Sequence, residues 1–397
     1  MTETTLPPKT TARFVLPVLV LAQLLGISIW FSSSAALPSL TREWGLAPAD
    51  GGLLISAVQV GFIVGTLLFA LTNVADLFPA SRVFFVCTLV GAAVNLLFAF
   101  VADGLAVALL CRLLTGLALA GIYPVGMKVV VSWSTGGVGN ALGWLVGALT
   151  VGSASPFLLA YAGAELHWRV VMGMASLLAL LAGLMVLWVG DGPHLGKAQR
   201  LRLSMLLQVF RIPQYRRAAL GYFGHMWELY AFWVLTPLLA GTALRAMGQQ
   251  DPRMVSLWAF IVMGVGGLGC VAGGLLSRRV GSRAVASVSL AVSGTACLLA
   301  PLAYAMGGAA FMALLLVWGV FVVSDSAQFS ALSAQACPPE YVGTALTIQN
   351  CIGFAITIIT IELTHQHWAT LGPHVAWILA PGPLLGLLLL NWGREKK

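Results

Sequence analysis

Charge is what this chain has least of. Asp, Glu, Lys and Arg make up 9% of its 397 residues, against about 25% in ordinary soluble domains. With 59% hydrophobic residues, that scarcity excludes a water-soluble globular protein. No glycine-rich loop leads into a Lys-Ser or Lys-Thr pair after a strand pattern, so a P-loop ATPase is excluded. No nucleophile stands with a base in a recognisable pattern, no cofactor motif is present, and no enzyme is expected. The six cysteines (Cys87, Cys111, Cys270, Cys297, Cys337 and Cys351) sit in apolar runs or at their edges. Their spacing matches no metal-ligand set, and neither a disulfide nor a metal site is expected.

What the chain has instead is twelve long apolar runs, over 14–38, 52–73, 83–101, 105–131, 142–162 and 170–189, then 218–242, 255–276, 284–306, 309–331, 344–363 and 375–392. Crossing a hydrocarbon core of about 30 Å takes roughly 20 apolar residues. Each run therefore predicts a membrane-spanning helix, and two sets of six predict a transporter. The first thirteen residues carry no cleavable signal pattern, and the first run is read as the first span. With both termini placed in the cytoplasm, 16 of the 21 Lys and Arg fall inside and four outside, with Arg112 left within a span. That split follows the positive-inside rule for a bacterial inner membrane. The net charge of +8 is thus an orientation signal and a contact with anionic lipid, not a sign of nucleic acid.

The longest polar connection, 190–217, divides the chain into 1–189 and 218–397. It holds Gly192-Pro193, Ile212-Pro213 and six basic residues, and a short surface helix is expected over 201–210. The two parts repeat weakly. Gly139-Asn140-Ala141-Leu142 between the fourth and fifth spans answers Gly343-Thr344-Ala345-Leu346 between the tenth and eleventh. After the eighth span comes Gly274-Leu275-Leu276-Ser277-Arg278-Arg279-Val280-Gly281-Ser282-Arg283; after the second, Asp76 and Arg82. These stretches resemble the Gly-x-Leu-x-Asp-Arg-x-Gly-Arg-Arg loops of the major facilitator superfamily, and the resemblance covers essentially the whole chain. Arg278 stands where the family has Asp, and Leu77 and Pro79 break the first copy. The resemblance implies an all-α fold of two pseudo-symmetric six-helix bundles, and a gate latch at Asp76, Arg279 and Arg283. Gly224 to Tyr230 and Asp325 to Ser330 resemble segments of a widespread bacterial branch.

Ionisable groups at mid-bilayer are expensive and mark function. Three stand out: Arg112 in span four, Glu228 in span seven and Asp325 in span ten. In the family these spans and span one line the central cavity, so the resemblance implies one shared passage for all three. Arg112, permanently charged, is expected to bind an anionic substrate or a carboxylate. Glu228, with His225 three residues earlier, suits reversible protonation; Asp325, with Gln328 three residues later, could bind substrate or carry the proton. Trp30, Phe31, Tyr123, Trp227, Tyr230 and Trp233 are expected to supply aromatic walls, with Ser32, Ser33, Ser34 and Gln23 adding polar groups. The bland alternative for the charges is a structural network holding helices together. Trp168, Trp368 and Trp392 are read as membrane-interface anchors. His365, His367 and His374 are read as a solvated outer loop, and the glycines from Gly264 to Gly274 as a close helix contact.

The sequence therefore predicts a monomeric, proton-coupled secondary transporter of a small organic anion, working by alternating access. The alternatives are export of cationic or neutral amphiphilic drugs, and a transporter-like receptor. Arg residues that nitrate-type relatives place in spans two and eight are missing here, which excludes that substrate.

Overall fold

A computed structural model describes residues 9–47, 50–72, 74–133, 138–163, 167–194, 208–338 and 341–392. Among these there is no strand. The helices before the central connection are α1 (Lys9–Gly26), α2 (Ser32–Trp44), α3 (Asp50–Thr72), α4 (Val74–Leu77), α5 (Ala80–Val101), α6 (Leu105–Leu119), α7 (Tyr123–Ser132), α8 (Val138–Ala162) and α9 (Trp168–Val189). After it come α10 (Pro213–Ala246), α11 (Pro252–Val280), α12 (Ser282–Ala305), α13 (Gly308–Ser324), α14 (Ser326–Ala336), α15 (Val342–Leu371), α16 (Ala376–Leu379) and α17 (Pro381–Asn391).

Eleven described stretches are long and apolar enough to cross a membrane. The last, Val342–Asn391, has 50 residues. At 1.5 Å per residue it would be about 75 Å long, more than twice a hydrocarbon core. Gly372, at φ 53°, turns the chain back in a conformation that only glycine adopts easily. The stretch is therefore two crossings, α15 and α16–α17, and the total is twelve. Large exposed apolar side chains such as Phe100, Trp188, Leu268 and Leu388 are what a lipid-facing surface requires.

Besides span twelve, where Ala380 separates α16 from α17, three of the described crossings are broken part-way. Span one turns at Ile27–Ile29 between α1 and α2. Span four breaks at 120–122, where Pro124 opens α7. Span ten breaks at Asp325, between α13 and α14. Irregular backbone at membrane depth survives only where protein or water satisfies it, so these breaks mark the polar interior.

Glycine sets the helix spacing, as the sequence suggested for span eight. A Cβ at Gly61 would run into the Leu113 carbonyl, and one at Gly116 into that of Val58, so α3 and α6 touch backbone to backbone. Gly266 and Gly319 do the same between α11 and α13, against the carbonyls of Gly319 and Val262. Spans two and four thus pack as spans eight and ten do. Between the first and second sets of six, α8 lies along α11 and α3 along α15.

The central connection begins as a clasp. Asp191 accepts from the backbone N–H groups of Ala80 and Ser81 at 3.0 and 2.7 Å, satisfying the first orphan donors of α5. Gly192 N–H donates to Ser132 Oγ at 2.9 Å, and Trp133 Nε1 to the Gly190 carbonyl at 3.1 Å. The surface helix expected over 201–210 lies mostly outside the described residues; at its end Val209–Arg211 forms a 3-10 turn. α10 starts at Pro213, five residues before the apolar run does, because proline suits a helix's first turn.

Two expectations are corrected here. Trp168 is buried, donating to Glu43 at 2.6 Å and stacking edge-on with Trp44, and so anchors α9 to α2 rather than to lipid. The loop expected around His365 is helical, since α15 continues to Leu371, and His365 is buried against Gly51 and Gly52 of α3.

Candidate functional site

A pocket lies between the two sets of six helices. Tyr123 and Leu149 come from the first set; Tyr222, Met226, Leu229, Tyr230 and Trp233 from α10; Val323, Ser326, Ser330, Asn350 and Phe354 from α13, α14 and α15. Its volume is about 30 Å³, room for about two waters. Helical spacing explains the α10 contribution: residues 222, 226, 229, 230 and 233 share one stripe. No ionisable acid or base other than tyrosine lines it. Its polar groups are three phenols, two serine hydroxyls, an asparagine amide and the indole N–H of Trp233, which has no hydrogen-bond partner among the described residues.

Aromatic rings close the pocket on the side away from the chain ends. Trp30 lies 5.0 Å from Phe62, 5.7 Å from Tyr230 and 5.8 Å from Phe354 between ring centres. Phe62 and Phe354 meet at 4.5 Å, and Phe31 meets Trp233 edge-on at 5.8 Å. Beyond this layer Ser56 of α3 donates to Glu362 of α15 at 2.5 Å.

Arg112 is fully buried but not in this pocket. Its Nη1 donates to the Ile29 carbonyl at 3.1 Å and reaches Ser32 Oγ and Asn95 Oδ1 at 3.4 Å; its Nη2 donates to the Trp30 carbonyl. Asn95 is itself held by Ser32, Ser176 and the Met172 carbonyl at 2.9–3.0 Å. The guanidinium therefore satisfies carbonyls freed by the break in span one. Among the described residues it forms no ion pair with a carboxylate.

Glu228 is also buried elsewhere. It sits two residues from Tyr230, on the opposite side of α10 from the pocket stripe. Ser293 donates to its Oε2 at 2.9 Å; Trp318 Nε1 and Cys297 Sγ donate to its Oε1 at 2.6 and 3.2 Å. Trp318 packs on Phe232 at 4.5 Å. The expected single ladder of Arg112, Glu228 and Asp325 is thus two separate networks and a pair.

The pair is His225 and Asp325. Nδ1 of His225 lies 2.9 Å from Asp325 Oδ1, and both side chains are buried. Each is one residue from the pocket wall, His225 beside Met226 and Asp325 beside Ser326. Among the described residues neither His225 Nε2 nor Asp325 Oδ1 makes a hydrogen bond, so the pair is a close approach of imidazole and carboxyl rather than an aligned hydrogen bond. Gln328 is buried in α14 but does not line the pocket. Trp227 does not line it either: its Nε1 donates to the Ile378 carbonyl at 2.8 Å, which turns the ring toward α16 and α17. Of the gate residues, Arg279 is exposed in the last turn of α11 and Arg283 is half-buried in the first turn of α12. The side chain of Asp76 lies outside the described residues. Sequence reasoning passed over Trp318, Ser293, Cys297 and Asn350; Asp191, directly after an apolar run, carried a readable signal.

The family model of the Major Facilitator Superfamily matches residues 19–361. The chain belongs to the major facilitator superfamily. Two curated relatives are similar to it. The puromycin resistance protein pur8 of Streptomyces alboniger is 31% identical over 269 residues, 67% of this chain and 47% of that protein. The uncharacterized transporter YgaY of Escherichia coli O157:H7 is 26% identical over 229 residues, 54% of this chain and 56% of that protein. The chain spans about half the length of the curated relatives it matches. It is a multi-pass membrane protein of all-α major facilitator fold.

Proposed function

We propose that this protein is a proton-coupled secondary transporter of an uncharged or cationic, ring-bearing amphipathic solute. It acts as a monomer in a bacterial inner membrane with both termini cytoplasmic, each six-helix bundle rocking on the other. The observation that carries the substrate class is the lining of the pocket: tyrosines, Trp233 and Phe354, with hydroxyl and amide groups and no guanidinium. Such walls recognise flat apolar rings and cations over ring faces. A small organic anion, the class suggested by Arg112, finds no counter-charge there, because the guanidinium is taken up by carbonyls. The name of the puromycin resistance relative agrees with this reading.

Coupling is assigned to His225 and Asp325. They form a buried acid–base pair immediately behind the pocket wall, so a proton gained or lost there acts on Met226 and Ser326. Glu228, fixed by three donors on the other side of α10, is given the role of tying α10 to α12 and α13.

Flux in proteoliposomes tests this. A ring-bearing amphiphile found by thermal-shift screening should accumulate only with a pH gradient. Asp325→Asn should abolish that accumulation while leaving substrate exchange at least half intact. Proton-driven uptake of unchanged size in Asp325→Asn would remove the pair from coupling. Tight binding with no flux at all would make the protein a receptor.

A further inference from the structure

The stripe of α10 that carries Leu220, Phe223 and Trp227 faces away from the pocket. With Ile356 of α15 and Leu385 and Leu389 of α17, it borders an open apolar groove of about 320 Å³. Followed toward the chain ends, the same stripe carries two cations. Arg216 is four residues before Leu220 and Arg217 three, so both stand over the groove's end. Arg216 is exposed and Arg217 half-buried, and neither forms an ion pair among the described residues. Arg216 ends the first turn of α10 and Arg217 begins the second, at the end where the helix dipole is positive and a cation is unfavourable. Among the described residues no acidic side chain pairs with either cation. Trp392, at the end of α17 on the same edge, is 70% exposed, as a side chain at headgroup level would be.

The length fits one leaflet. From Arg216 to Trp227 is eleven residues, about 16 Å of helix, or half a hydrocarbon core of about 30 Å.

We propose that this groove binds an anionic phospholipid. One acyl chain lies along α10 and α17, and the headgroup phosphate is held between Arg216 and Arg217. Arginine holds phosphate by paired, charge-assisted hydrogen bonds, and the groove supplies the apolar contact that free phosphate cannot use. A neutral lipid would fill the groove but leave the two cations unanswered.

The test uses the full chain in phosphatidylcholine nanodiscs doped with phosphatidylglycerol, with retained lipid counted by native mass spectrometry. One phosphatidylglycerol should be held about tenfold in preference to phosphatidylcholine, and inorganic phosphate should not displace it. Arg216→Gln/Arg217→Gln should lose the preference, whereas Arg278→Gln/Arg279→Gln should keep it. Leu389→Trp, which fills the groove and leaves both cations, should lower retention as well. Equal retention of the two lipids by the native protein overturns the proposal, as does an unchanged preference in Arg216→Gln/Arg217→Gln. Displacement by inorganic phosphate would show an anion site without a lipid. None of these outcomes depends on the transported solute.

Discussion

At the residue scale, Arg112 and Glu228 show that a buried charge is defined by its partners more than by its depth. Arg112 answers two carbonyls that the turn in span one leaves without backbone donors, the Ile29 carbonyl also accepting from Ser32 Oγ at 3.0 Å. Lysine has the charge but not the planar fork that reaches both. Arg112→Lys should therefore leave at least one carbonyl unsatisfied, at about 1–3 kcal/mol, and lower the melting temperature in detergent. An Arg112→Lys protein that melts like the native one would show that the guanidinium is not needed for the turn. The charged residues themselves were legible in the sequence, because any ionisable group in a long apolar run is conspicuous. Their separation was only half legible. The spacing already places Glu228 opposite the Tyr222–Met226–Tyr230 stripe. Nothing in the sequence, however, brings Ser293, Cys297 and Trp318, 65 to 90 residues away, onto one carboxylate.

At the scale of elements, the chain repeats itself through glycine rather than through charge. Gly61 and Gly116 bring spans two and four into backbone contact, and Gly266 and Gly319 bring spans eight and ten together. A methyl at Gly319 would meet the Val262 carbonyl, which belongs to a helix backbone and cannot swing aside. Gly319→Ala should sharply reduce the yield of folded protein. Gly143→Ala, whose added carbon would meet its nearest neighbours at 3.6–3.7 Å, should be tolerated. Equal yields of the two variants, read by size-exclusion chromatography in detergent, would mean that α11 and α13 can separate at no cost. The glycines of span eight were readable as a packing face. The breaks in spans one, four and ten were not placed from the sequence, since hydropathy stays high across a turn whose polar groups are satisfied by neighbouring helices.

At the scale of the whole molecule, the two sets of six helices are closed against each other on the face away from the chain ends. The aromatic layer, the Ser56–Glu362 hydrogen bond and His365 lying over Gly51 and Gly52 all sit on that side of the pocket. Alternating access requires this face to open. A Cβ on Gly52 would stand 3.3 Å from that of His365, close to the separation within a disulfide. Gly52→Cys/His365→Cys should therefore cross-link under mild oxidation and block transport, with activity returning on reduction. Cross-linked protein that still transports at the native rate would show that this face stays shut throughout the cycle.

The breaks in spans one and ten are unequal in kind. The first is riveted by the guanidinium of Arg112, which bridges the Ile29 and Trp30 carbonyls. The other is held at Asp325 by the imidazole of His225, 2.9 Å away on a different helix. In the proposed cycle, movement between the bundles would have a stiff stave on one side of the pocket and, at the proposed coupling pair, a releasable one on the other. A stroke driven by protons would accordingly begin in the second half of the chain, with the first half as its anvil.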